Sequence, residues 1–142
     1  HLFIIGDGPY RQRLEQLAYR VYPQATFTGA LYGEELAEQF RAADLFVLPG
    51  TGGLAIQQAM SYGLPIITAE ADGTQADLVC PANGWQIPPN DINALEKALQ
   101  EALQDLQVLR QMGAESYRIV SEEINIDKMA DAFIEALNWS LI

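Results

Sequence analysis

The stretch from Leu45 to Pro65, LFVLPGTGGLAIQQAMSYGLP, sets the small-residue turn Pro49-Gly50-Thr51-Gly52-Gly53 between an apolar run and a helical pattern. Such a turn leaves the first helical N–H groups pointing outward at the positive end of the helix dipole. That arrangement receives an anion such as a phosphate. The same glycines also suit a plain strand-to-helix turn with no ligand. Two more glycine turns close apolar runs in the same way, Gly6-Asp7-Gly8-Pro9 and the one at Gly29.

Other chemistry-bearing side chains are sparse. Cys80 is the single cysteine and His1 the single histidine, at the terminus, so neither a disulfide nor a thiolate paired with a nearby base can be assembled. One cysteine suits a reducing, cytoplasmic setting. Asp72 and Asp77 lack a third ligand nearby, and no metal is expected. Asp7 reads as an aspartate that bonds its own turn. Of the 8 cations, Arg11 and Arg13, one turn beyond Gly8, are the nearest to a cleft. The rest read as solvated or paired surface groups, as does the acidic pair Glu122-Glu123. Trp85 and Trp139 read as core or interface, and Met60 and Met129 as core fillers.

The elements that must position these turns follow from periodicity. Leu2 to Ile5 is a continuous apolar run, expected as a strand buried on both faces. A helix from Tyr10 repeats Leu14, Leu17, Ala18 and Val21 until Pro23. Ala25 to Thr28 is a second strand, and Glu34 to Ala43 a helix with Leu36, Phe40 and Ala43 inward. Leu45 to Leu48, Pro65 to Ala69 and Gly84 to Ile87 are further strands, with helices at Leu54 to Tyr62 and Gln75 to Val79. Asn90 or Asp91 caps the next helix. Leu95, Leu99 and Leu103 mark that helix, Leu106 to Tyr117 another, and Met129, Phe133, Leu137 and Trp139 a last one, all spaced for a face packed on a core.

Strands that are continuous apolar runs, alternating with helices, predict an α/β fold: a Rossmann-like parallel sheet with helices on both faces. Ligands of such sheets collect beyond the carboxyl ends of the strands, where the three glycine turns fall. With 142 residues, 49% hydrophobic and 19% charged, the chain has the content of one globular domain. A formal charge of −11 repels nucleic acid and anionic membranes. No apolar run approaches the roughly 20 residues that span a bilayer. The start at His1-Leu2-Phe3, already strand-like, suggests a piece of a longer protein.

These residues resemble the donor-binding C-terminal domain of the retaining group 1 (family 4) glycosyltransferases of GT-B architecture. Ile4-Ile5-Gly6-Asp7-Gly8-Pro9 with Arg11 and Leu14-Glu15 is similar to the family's IGDGP…R…LE, and Thr26 to Gly29 to its V-x-F-x-G. Ala42 to Pro49 resembles AADVFVLPS, and Ala59-Met60 with Gly63 to Ile67 resembles EAMACGLPVV. Asp77-Leu78-Val79, Asn83-Gly84 and Ile87-Pro88-Pro89 resemble ELV…NG…VPP. The order and spacing of these motifs carry the likeness along nearly the whole chain.

The resemblance implies a nucleotide-sugar donor, with no cofactor or metal. The base would lie near Thr28 to Leu31, the ribose on Gln58, and the diphosphate over Gly6, Gly8 and the N–H groups of Gly52, Gly53 and Leu54. The family's two glutamates fall at Gly50 and Gln58, so both carboxylates are absent, and which residues are catalytic is left open. An Arg and a Lys of the family come from a strand and helix that would precede His1. The expectation is therefore one donor-binding domain, residues 1–142, lacking its first strand-helix unit and an N-terminal acceptor domain. Any peripheral membrane association would come through that missing domain. Alternatives are a non-catalytic binding or assembly domain, and a sugar-nucleotide epimerase, which would keep acidic and histidine groups not found here.

Overall fold

Parallel strands require crossovers that return the chain to the same end of the sheet, and the helices between the apolar runs provide them. The computed structural model describes residues 1–139, in two units, His1–Arg41 and Ala42 onward. The first unit contains β1 (Phe3–Ile5), α1 (Arg11–Val21), β2 (Thr26–Gly29) and α2 (Gly33–Ala42, which ends one residue past the unit boundary). The second contains β3 (Phe46–Leu48), α3 (Gly53–Ser61), β4 (Ile66–Ala69), α4 (Thr74–Leu78), β5 (Gly84–Ile87), α5 (Ile92–Ala102), α6 (Leu106–Glu122) and α7 (Ile126–Trp139).

In the second unit β3, β4 and β5 lie side by side in chain order, all parallel. Phe46, Val47 and Leu48 stand opposite Ile66, Ile67 and Thr68. All four residues of β4 are buried, as a central parallel strand requires. Ile67 and Ala69 join Ile87, Ala98, Ala102 and Leu109 in one apolar cluster, with Leu95 and Leu99 of α5 packed on it. The alternation of a strand sends Ile66 and Thr68 to the other face. There α3 packs on β3 and β4 and contributes the buried Ile56, Ala59 and Met60. The Asp91 side chain caps α5 by accepting from the Ala94 N–H at 2.9 Å. Trp85 packs against the apolar cluster and donates its indole N–H to Glu101 at 3.2 Å, a structural role.

The first unit is a parallel pair, β1 with β2, Phe3 opposite Thr26 and Ile4 opposite Phe27. The strands are thus hydrogen-bonded as two parallel sheets, one in each unit. β1 departs from the expected double burial, since Phe3 and Ile5 are exposed. α1 has no buried residue either, and its stripe of Leu14, Leu17 and Val21 is exposed. In α2 the buried residues are Ala37 and Phe40, while Ala43 is exposed beyond the helix. The last helix corrects the reading in the same direction: Met129, Phe133, Leu137 and Trp139 all face solvent, Trp139 at 87%. Periodicity marks an apolar face but not what covers it, and none of the described residues buries these. Among the described residues no helix is long and apolar enough to cross a membrane.

Candidate functional site

In the second unit the turn before α3 is built as its composition requires. Gly52 caps the helix with φ +150°, a value suited to glycine, and a Cβ there would come within 2.8 Å of Leu48 Cδ2. No side chain caps α3, and the first intrahelical bond is from Ile56 N to Gly52 O at 3.2 Å. The N–H groups of Gly53, Leu54 and Ala55 are therefore left without helical acceptors. Gly50 differs, because its N–H is bonded to Leu48 O at 2.8 Å. Leu54 and Gln58, four residues apart, share an exposed face of α3. No Asp, Glu, Lys or Arg occurs from Leu45 to Ala69 apart from Asp44 just before it, so no charged side chain of this segment adds to or opposes the helix dipole.

A second loop joins this turn from the neighbouring strand. β3 and β4 are parallel and paired to their carboxyl ends, where Thr68 Oγ1 donates to Leu48 O at 3.1 Å. The segments that follow, Pro49 to Gly52 and Glu70 to Gly73, must leave the sheet side by side. They meet at Gly53, where an added Cβ would lie 2.7 Å from Thr74 Cγ2. Thr74 in turn donates its N–H to Asp72 Oδ1 at 3.1 Å. Its hydroxyl and that N–H hold the Asp72 carboxyl below the ordinary aspartate range. The sequence placed Asp72 only as a weak metal candidate. Among the described residues no three His, Cys, Asp or Glu side chains group to hold a metal.

In the first unit the expected site residues are mostly occupied by their own backbone. Gly6 donates to Gly29 O at 2.8 Å, which brings the first two glycine turns together. The Gly8 N–H is taken by Asp7 Oδ1 at 2.8 Å, so Asp7 does bond its own turn. Thr28 Oγ1 donates to Gly29 O at 3.0 Å, and Leu31 is half-buried. Arg11 is engaged by Glu15 at 2.8 Å, stands 3.7 Å from Asp7, and lies against Gly29. Gly6, Gly8, Thr28 and Leu31 belong to this unit, and Gly50, Gly52, Gly53, Leu54 and Gln58 to the other.

The sequence profile of the family described as glycosyl transferases group 1 matches residues 1–119. The chain belongs to the group 1 glycosyl transferases. It is 36% identical over 116 residues to the sulfoquinovosyl transferase SQD2 of Arabidopsis thaliana, a match covering 77% of this chain and 22% of that protein. Over 113 residues it is 38% identical to a GDP-mannose-dependent alpha-mannosyltransferase of Mycobacterium tuberculosis, covering 78% and 28%. Among solved structures, the sucrose-phosphate synthase of Thermosynechococcus elongatus matches with TM-score 0.81 and 28% identity over 99% of this chain and 38% of that one. Anabaena HepE, solved in complex with UDP-glucose, matches with TM-score 0.78 and 22% identity, covering 96% and 40%. The fold of this group 1 domain is thus that of the GT-B glycosyltransferases. It spans about a fifth to two fifths of the length of these proteins.

Proposed function

We propose that this group 1 domain binds the nucleotide-sugar donor of a retaining glycosyltransferase. One observation carries the reading: the side-chain-free turn Gly50 to Gly53 runs into an uncapped α3 whose first N–H groups lack helical acceptors. The diphosphate rests on the N–H groups of Gly52, Gly53 and Leu54, and the ribose on Gln58. The carboxamide offers both a donor and an acceptor to ribose hydroxyls. The named activities of the mannosyltransferase and sulfoquinovosyl transferase relatives, and the UDP-glucose held by HepE, support a nucleotide-sugar ligand. No cofactor beyond the donor is invoked, and the setting is cytoplasmic.

The acceptor and part of the catalytic apparatus belong to further segments of a longer protein, which the greater length of the relatives supports. The 142-residue chain alone binds donor weakly and transfers nothing; detectable transfer by it overturns this part. Calorimetric titration of the full-length protein with uridine, guanosine and adenosine diphosphates tests the donor site. One of them binds, and Gln58→Ala weakens it by roughly 1 kcal/mol, the net worth of one hydrogen bond. An unchanged affinity removes Gln58 from the site. Binding of none favours a second reading, a non-catalytic assembly domain, to which the absence of a carboxylate at Gly50 and Gln58 already points.

A further inference from the structure

Thr68 is the one polar residue of β4 and is fully buried, between the equally buried Ile67 and Ala69. Valine has nearly the same shape, suits a strand as well and avoids burying a hydroxyl. What the hydroxyl adds is a bond across the sheet, since Oγ1 donates to Leu48 O at 3.1 Å. The same carbonyl accepts the Gly50 N–H at 2.8 Å, inside the turn that leads into α3. Leu48 also supports the far end of that turn, because its Cδ2 lies 2.8 Å from where a Cβ on Gly52 would stand. Leu48 thus holds Gly50 by its carbonyl and backs Gly52 with its side chain. Thr68 in turn holds Leu48.

Resting on the donor-site reading above, we propose that Thr68 is a positioning residue for the diphosphate: its buried hydroxyl, bonded to the Leu48 carbonyl, fixes the turn that aims the first N–H groups of α3. Backbone donors serve an anion best when they are held in place before it arrives, and a turn of glycines has no side chains of its own to hold them. The restraint has to come from a neighbouring element. β4 supplies it, because Thr68 stands opposite Leu48 in the parallel register and faces away from the cluster that takes Ile67 and Ala69, on the side where α3 packs. The Leu48 carbonyl also sorts the donors of the turn. It draws the Gly50 N–H inward and leaves those of Gly53, Leu54 and Ala55, which have no helical acceptor, to the ligand. Thr68 itself touches no part of the nucleotide and acts through Leu48.

The test is a titration of the full-length protein with uridine, guanosine and adenosine diphosphates, in the wild type and in two variants that separate the parts of threonine. Thr68→Val keeps the shape and removes the hydroxyl, whereas Thr68→Ser keeps the hydroxyl and removes the methyl. For the diphosphate that the wild type binds, Thr68→Val lowers affinity about fivefold, the scale of one neutral hydrogen bond. Thr68→Ser retains the wild-type affinity. Urea midpoints run in the opposite order, with Thr68→Ser the less stable of the two because it loses a buried methyl. Hydrogen exchange at the Gly50 N–H quickens in Thr68→Val and not in Thr68→Ser, which places the effect in the turn. A hydroxyl that served stability alone would weaken binding in step with the midpoints. The proposal is overturned if Thr68→Val binds as tightly as the wild type, if the affinities of the two variants follow their midpoints, or if Gly50 exchanges equally in both. Any of these results leaves the donor reading standing. Failure of the wild type to bind any diphosphate removes the donor reading itself and this proposal with it.

Discussion

Gly113, in the middle of α6, lies so close to the carbonyl of Gly63 that a Cβ added to it would stand 2.1 Å from that oxygen. Gly63 follows the end of α3, and α3 packs along α6, so this contact sets how closely the helix carrying the candidate site is held. Alanine at an ordinary helix position gains about 1 kcal/mol over glycine. Here the obstacle is backbone, and no rotamer change relieves it. Gly113→Ala is expected to destabilise the domain by roughly 2 kcal/mol, within the range of overpacking, as read from urea midpoints. A stability equal to or above the wild type would show that α3 and α6 separate freely.

The contact between Gly53 and Thr74 makes a paired prediction. Gly53→Ala presses on Thr74 Cγ2, and rotation of that short side chain disturbs the hydroxyl beside Asp72. Thr74→Ser removes the obstructing methyl and keeps the hydroxyl. The Gly53→Ala change should therefore cost about 1 kcal/mol more with threonine at 74 than with serine, a coupling typical of residues in contact. Equal costs in the two backgrounds would mean that the α3 and α4 termini do not touch in solution.

Arg118 gathers Glu115 at 2.7 Å, Glu122 at 3.3 Å and Glu123 at 2.7 Å around one guanidinium. The hydrogen bond from Arg118 holds the Glu115 carboxyl below the ordinary glutamate range. A carboxylate whose pKa is depressed by folding stabilises the fold above its unfolded pKa, and that contribution fades as pH falls through the lower, folded value. Glu115→Gln should lower the melting temperature at neutral pH, and the two proteins should converge in acid below the folded pKa. Parallel melting curves across the whole acid range would remove this pair from the stability of α6.

Much of the domain is legible in the residues themselves. The buried run of β4, the glycine turn before α3 and the Asp91 cap follow from local rules, because each is specified by residues adjacent in the chain. The order of the motifs gave the family for the same reason. What was not legible is burial. Leu14, Leu17 and Val21 of α1 and Met129, Phe133 and Leu137 of α7 have the spacing of core residues, yet all are exposed. The stripe is a local property, whereas its cover is a matter of which other element arrives there. Asp72 was weighed only as a metal ligand, for which two carboxylates without a third are too few, and its place beside the α3 turn was not legible because it depends on strand pairing.

The sequence by itself determined that parallel strands alternate with helices, that a turn without side chains opens α3, and that no charge stands between Leu45 and Ala69. Tertiary structure decided which loop stands beside that turn. The parallel register of Leu48 with Thr68 brings the two carboxyl ends together and sets Thr74, bonded through its N–H to Asp72, against Gly53. Residues some twenty positions apart become neighbours because the α3 crossover returns the chain to the same sheet edge, a relation no local pattern of residues contains.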